Sequence, residues 1–142
     1  MNIALRYYSR TGNTKKIACA IAEELGLSAE DLSAPLSEKV DILFLGSAVY
    51  AAGVDKSVKN FIKNNKEKIG IIYNFSTTAI LTSTYNQIKK VAESCGVAIA
   101  EKEFHCRGKF AVLHGSHPND DDLQSARKFA REVIDGLNGN NE

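Results

Sequence analysis

At 142 residues, with 44% hydrophobic and 25% charged side chains, the chain has the make-up of one globular domain. A formal net charge of +1 gives no reason to expect nucleic acid or a membrane as partner. No apolar run reaches bilayer length and no signal pattern precedes the first apolar run, so the expected location is the cytoplasm, with Cys19, Cys95 and Cys106 as reduced thiols.

Residues 3–8 (Ile-Ala-Leu-Arg-Tyr-Tyr) read as a strand, and Ile17, Ile21 and Leu25 mark a helix closed by Gly26. Between them lie Ser9, Arg10, Thr11, Gly12, Asn13 and Thr14. A helix N-terminus presents unpaired N–H groups and the positive end of its dipole, so such a junction attracts anions. Gly12 lets the backbone bend close to a ligand, and Ser9, Thr11 and Thr14 add hydroxyls. A helix cap needs one oxygen. Three hydroxyls around a glycine favour a nest for one phosphate group. Arg10 could touch that phosphate or point to water; Lys15 and Lys16 read as a solvated helix face.

Residues 28–32 form a short strand candidate, and the continuous apolar run 42–46 reads as a strand covered on both faces. After a loop at 47–53, Asp55 can cap a helix with Val58, Phe61 and Ile62 on one face. Residues 69–75 read as a strand and 76–83 as a polar loop. Thr84 and Gln87 have capping-box spacing, followed by the stripe Tyr85, Ile88, Val91, Ala92 and Cys95. Residues 97–99 and 104–106 read as a last strand with a polar middle, which 110–113 could extend. The acidic run 120–122 opens a final helix whose apolar face is Leu123, Ala126, Ala130, Val133 and Leu137. Residues 1–138 form one domain and 139–142 a frayed tail. His114 and His117 lack a third ligand and read as solvated or capping, so no metal is expected.

Strands alternating with helices imply right-handed crossovers and a doubly wound parallel α/β sheet. Such sheets bind ligands outside the carboxyl ends of their strands. The loops at 9–14, 47–53 and 76–83 all follow strands and gather there. Dinucleotide and Walker glycine motifs are absent, no cysteine is followed at phosphatase spacing by arginine, and the third strand does not end in a receiver aspartate.

The loop Ser9-Arg10-Thr11-Gly12-Asn13-Thr14 resembles the phosphate loop [ST]-x-T-G-x-T of the flavodoxin family. Gly46-Ser47-Ala48-Val49-Tyr50-Ala51-Ala52-Gly53 resembles its second flavin loop, with Ala48 where proline is common. The stretches 106–110, 117–120 and 126–130 are similar to the tail of many bacterial flavodoxins. The likeness implies a five-stranded, three-layer αβα fold of strand order 2-1-3-4-5, the first strand central, and a bound flavin mononucleotide (FMN). It also implies positions. Tyr50 would lie on one face of the flavin ring, although an ordinary loop aromatic is the alternative. Ala48 and Val49 belong to the same loop, and the backbone of Ala51, Ala52 and Gly53 would lie near the flavin N5 edge, where a turned carbonyl favours one-electron steps. Ser76, Thr77 and Thr78 would face the pyrimidine side.

The third loop lacks the glycine-aspartate pair and later tyrosine of well-known flavodoxins, and the chain is near neutral where electron shuttles are strongly acidic. The expected function is electron transfer through bound FMN between redox partner proteins, as a monomer or weak dimer. An FMN-dependent reductase is a second form of that reading. The alternative is a flavodoxin-like module that has lost flavin and serves as a protein-interaction domain.

Overall fold

The computed structural model describes residues 1–10, 12–50, 53–78, 83–107 and 118–139, with backbone alone for 49, 50, 107, 138 and 139. In chain order the elements are β1 (Ile3–Tyr7), α1 (Asn13–Leu25), β2 (Glu30–Asp31), β3 (Val40–Tyr50), β4 (Gly53–Val54) and α2 (Lys56–Asn65). A 3₁₀ turn at Lys66–Lys68 leads to β5 (Ile69–Thr78), α3 (Tyr85–Ser94), β6 (Ala98–Ile99), β7 (Phe104–Arg107) and α4 (Asp120–Gly139).

The strands order as β2-β1-β3-β5, with β6 and then β7 along the outer edge of β5. All pair in parallel except β4, which folds back antiparallel on the end of β3. This is the doubly wound order that the resemblance implies, its fifth strand split in two at residues 100–103, where Glu101, Lys102 and Glu103 are charged. The central strand is β3, not the first strand, because β3 has β1 on one side and β5 on the other. The strands β3 and β5 also run further than their apolar stretches, to Tyr50 and Thr78. Polar residues can continue a buried strand when their side chains find partners, and Ser47, Ser76 and Thr77 do.

Side chains alternate across a strand, so β3 serves both layers. Ile42 and Phe44 pack with Leu5, Ile17, Ile21 and Phe129 under α1 and α4. Leu43 and Leu45 pack with Val58, Ile62, Ile72 and Ile88 under α2 and α3. The Phe44 and Phe129 rings meet edge to face at 6.0 Å, a favoured aromatic geometry. At the rim, Arg6 is 8% exposed and pins the β2–β3 connection. Its guanidinium donates to the carbonyls of Ala34 (2.8 Å) and Pro35 (3.3 Å) and pairs with Glu30 at 3.0 Å.

Helix starts follow local chemistry. Asp55 Oδ1 accepts from the Ser57 N–H at 2.9 Å, and Asn119 and Asp122 exchange reciprocal 2.9 Å bonds at the start of α4. The helix α4 includes Gly139, one residue past the boundary read from sequence. Thr84 and Gln87 do not form the expected capping box. Ser83 Oγ instead accepts from the Tyr85 N–H at 3.0 Å, and Gln87 Oε1 accepts from the Val54 N–H at 2.9 Å. The short strand β4 supplies a nearby orphan donor that the sequence pattern does not reveal. No helix among the described residues is long and apolar enough to cross a membrane.

Candidate functional site

The registers bring the three loops together. Tyr7 stands beside Gly46, Gly46 beside Phe75, and Ala48 beside Thr77, so β1, β3 and β5 end along one carboxyl edge. Gly46 is needed there for space. A Cβ on it would sit 2.2 Å from the ring of Phe75, which is fully buried.

The first loop leads into α1 through Gly12, whose φ of +91° is the left-handed conformation that favours glycine. Gly12 brings no capping side chain, so the helix begins without a side-chain cap bond. Ser9 braces the turn, its Oγ accepting from the Gly12 N–H at 2.9 Å. That bond leaves the Ser9 hydroxyl proton for another acceptor. Asn13 and Thr14 are buried at the helix start. Thr14 departs from the sequence expectation: its hydroxyl turns to the sheet, 2.8 Å from Thr77 Oγ1 and 3.4 Å from the Ser47 carbonyl. It ties the first loop to the ends of β3 and β5. Arg10 is exposed.

Beneath the second and third loops lies a buried polar cluster. Thr84 Oγ1 accepts from Ser47 Oγ and from Asn74 Nδ2, each at 3.0 Å. The Thr84 N–H donates to Ser76 Oγ at 3.4 Å. Ser47, Asn74, Ser76 and Thr84 are all fully shut from solvent. Two oxygens in this neighbourhood have no partner among the described residues: Asn74 Oδ1 and the hydroxyl of Thr78, itself 2% exposed at the last position of β5. A buried unpaired hydroxyl costs about 1–3 kcal/mol, so the Thr78 oxygen is a place where a polar ligand group would be favoured.

In the second loop, Ala48 is buried, and the backbones of Val49 and Tyr50 pair with Val54 and Gly53. Gly53 has φ +93°, and a Cβ on it would come within 2.9 Å of Gln87 Oε1. Thr11, Ala51 and Ala52 lie outside the described residues, as do the side chains of Val49 and Tyr50, and His114 and His117. Among the described residues no group of His, Cys, Asp and Glu is arranged to hold a metal ion.

Sequence reasoning passed over Asn74, Ser83, Thr84 and Gln87 as site residues. A buried Asn in an apolar strand was the available signal for the first. The others depend on which hydroxyl or amide finds a distant partner. A groove of about 920 Å³ opens beside the first loop, lined by Ser9, Gly12, Lys15, Asp31 and Phe61. Asp31 is held below the ordinary aspartate range by the hydroxyl and then the backbone N–H of Ser33. At the β7 end of the sheet, burial, with Asp122 nearby, pushes the Cys106 thiol up to about 12. The thiol is thereby kept protonated and unreactive.

These residues fit a flat, phosphorylated cofactor: an uncapped helix start behind a glycine turn, hydroxyl-rich strand ends, and an orphan hydroxyl beside them. A family model described as a flavodoxin domain matches residues 4–108. An uncharacterized protein of Methanocaldococcus jannaschii is 30% identical over 138 residues, spanning 86% of this chain and 90% of its own. Oxidised flavodoxin 1 of Bacillus cereus superposes with a TM-score of 0.72 at 17% identity, over 95% of this chain and 98% of that one. A flavodiiron core from Synechocystis superposes with a TM-score of 0.76 at 16% identity, over 98% of this chain but 36% of that one.

Proposed function

The chain belongs to the flavodoxin family, and on that premise we propose that it binds FMN at the carboxyl edge of its sheet and carries electrons through it. The observation that carries the reading is the Thr78 hydroxyl, buried and without a partner among the described residues, at the strand end that the family resemblance assigns to the flavin's pyrimidine side. The bound flavin supplies the one- and two-electron chemistry.

The chain's own residues hold and tune it. Ser9, Arg10, Thr11, Gly12, Asn13 and Thr14 receive the phosphate through hydroxyl and N–H donors at the start of α1. Thr14 acts differently from Ser9. Its bond to Thr77 fixes the loop to the sheet, so the nest is held in shape before ligand arrives. By the family resemblance Tyr50, in the loop with Ala48 and Val49, would cover one ring face, and the peptides of Ala51, Ala52 and Gly53 would border its N5 edge. The positive φ of Gly53 keeps a change of peptide orientation there inexpensive. Ser76, Thr77 and Thr78 meet the pyrimidine side.

The described site groups are hydroxyls, amides, backbone and the Arg10 guanidinium, and the Cys106 thiol stays protonated. That set supports a carrier more than a substrate-converting enzyme, with redox proteins of the cytoplasm as donor and acceptor and the chain a monomer or weak dimer. The test is direct. Purified protein should be yellow, or turn so with added FMN, and the flavin released on denaturation should chromatograph as FMN. A colourless protein that also fails to take up FMN would overturn the proposal and favour the interaction module.

A further inference from the structure

The near-neutral total hides a charge separation. Between residues 56 and 94 the chain carries seven lysines and two glutamates, an excess of five positive charges. With a total of +1, the remainder is net −4. Five of these lysines, Lys56, Lys59, Lys63, Lys66 and Lys68, lie on α2 and its 3₁₀ turn. Lys89 and Lys90 lie on α3, which packs beside α2 on the same side of the sheet.

The two faces also differ in how their charges are used. On the α1–α4 side, Arg127 pairs with Glu23 at 2.8 Å, Arg131 with Glu24, and Lys102 with Glu132 at 2.9 Å. Among the described residues, none of the seven lysines makes an ion pair. Lys68 donates to the Leu36 carbonyl at 2.9 Å. Lys89 stands 6.0 Å over the Tyr85 ring, and the lysines outnumber Glu67 and Glu93, so the α2–α3 side is net positive. That side borders the site: β4 leads into α2, and Gln87 of α3 bonds to Val54.

We propose that the α2–α3 face is the docking surface for an acidic protein partner, which it brings by electrostatic steering to the edge that holds the flavin. The composition selects this class of partner. All seven cations are lysine and none is arginine. Lysine is a hydrated point charge, suited to a fast and transient encounter, whereas arginine dominates bidentate phosphate recognition in nucleic acids. The only exposed large hydrophobic residue among those described is Met1, so this face lacks the apolar wedge with which a surface helix enters a lipid layer.

The proposal rests on the flavin reading for its site but not for its surface, and two experiments separate them. In the first, ¹⁵N-labelled protein is titrated with a deca-glutamate peptide. Amide shifts should map to α2 and α3 at about 20 mM salt and vanish at about 300 mM. They should be lost in Lys56→Gln/Lys59→Gln/Lys63→Gln/Lys89→Gln and kept when the same four become arginine. Shifts centred on α1 and α4, or binding to phosphatidylglycerol vesicles or duplex DNA tighter than to the peptide, would overturn the assignment.

In the second, FMN-loaded, chemically reduced protein is oxidised by ferricyanide, an anion, and by hexaammineruthenium(III), a cation. The ferricyanide rate should fall at least about tenfold over the same salt range, and the four-glutamine variant should remove that dependence. Equal salt dependence for the two oxidants would refute steering at the flavin edge. A protein that takes up no flavin but still shows the peptide shifts would refute the flavin reading and leave the surface standing.

Discussion

Replacing Thr78 by valine separates a site residue from a structural one, because the two roles give opposite signs. The side chains have nearly the same shape, and position 78 ends a strand, where a β-branched residue is at home. The Thr78 oxygen is buried without a partner. Without ligand, valine removes an unsatisfied hydroxyl whose penalty is about 1–3 kcal/mol. The flavin-free protein should gain about 1 kcal/mol, which raises the midpoint of thermal unfolding by about 2–4 °C for a domain of this size. With FMN, one neutral hydrogen bond is lost, about 0.5–1.5 kcal/mol, so affinity should fall roughly two- to tenfold. Thermal melts of the flavin-free protein and a flavin fluorescence titration read the two effects. A variant that melts lower and binds FMN unchanged would refute the reasoning, since the hydroxyl would then be serving the fold.

Gly46→Ala should destabilise by about 1–3 kcal/mol through overpacking, because its Cβ meets the buried Phe75 ring; the check is a lower urea midpoint at unchanged slope. The lowered carboxyl of Asp31 contributes stability that is full above the ordinary aspartate value and is lost as pH falls through its folded value. Asp31→Asn should therefore lower stability at neutral pH, converge with the unsubstituted protein below the folded value, and flatten that part of an acid denaturation profile. Cys106 should be the last of the three free cysteines to react with iodoacetamide at about pH 8; mass mapping of the labelled peptides decides.

The architecture was legible because its signals are local and periodic. The run Ile42, Leu43, Phe44, Leu45 can be nothing but a doubly covered strand once helices flank it, and β3 is that strand. The glycine turn at Gly12 and the cap at Asp55 depend on residues within a few positions, and both formed. What escaped was decided across the chain. Ser47 and Ser76 read as loop residues because they are polar, yet Thr84 stands 37 and 8 residues away from them and satisfies both inside the sheet. Thr84 looked like a cap, but Ser83 took that role, freeing Thr84 for the interior. Thr14 read as a phosphate hydroxyl, and its partner is Thr77, 63 residues on. The glycine turn and hydroxyls of the first loop were legible as chemistry, but that Thr14 braces the loop against the sheet was not.

On the proposed reading the first loop holds a phosphate and the neighbouring strand ends hold a flavin ring. Fluorescence titration of the flavin-free protein with FMN and with riboflavin tests it most directly, since the two ligands share the ring and differ by the phosphate. Each hydrogen bond to the charged group contributes about 1.5–3 kcal/mol, so two of them should make FMN bind at least about a hundredfold more tightly than riboflavin. Equal affinities would show that no phosphate nest operates at Gly12, and binding of neither would contradict the flavin site altogether.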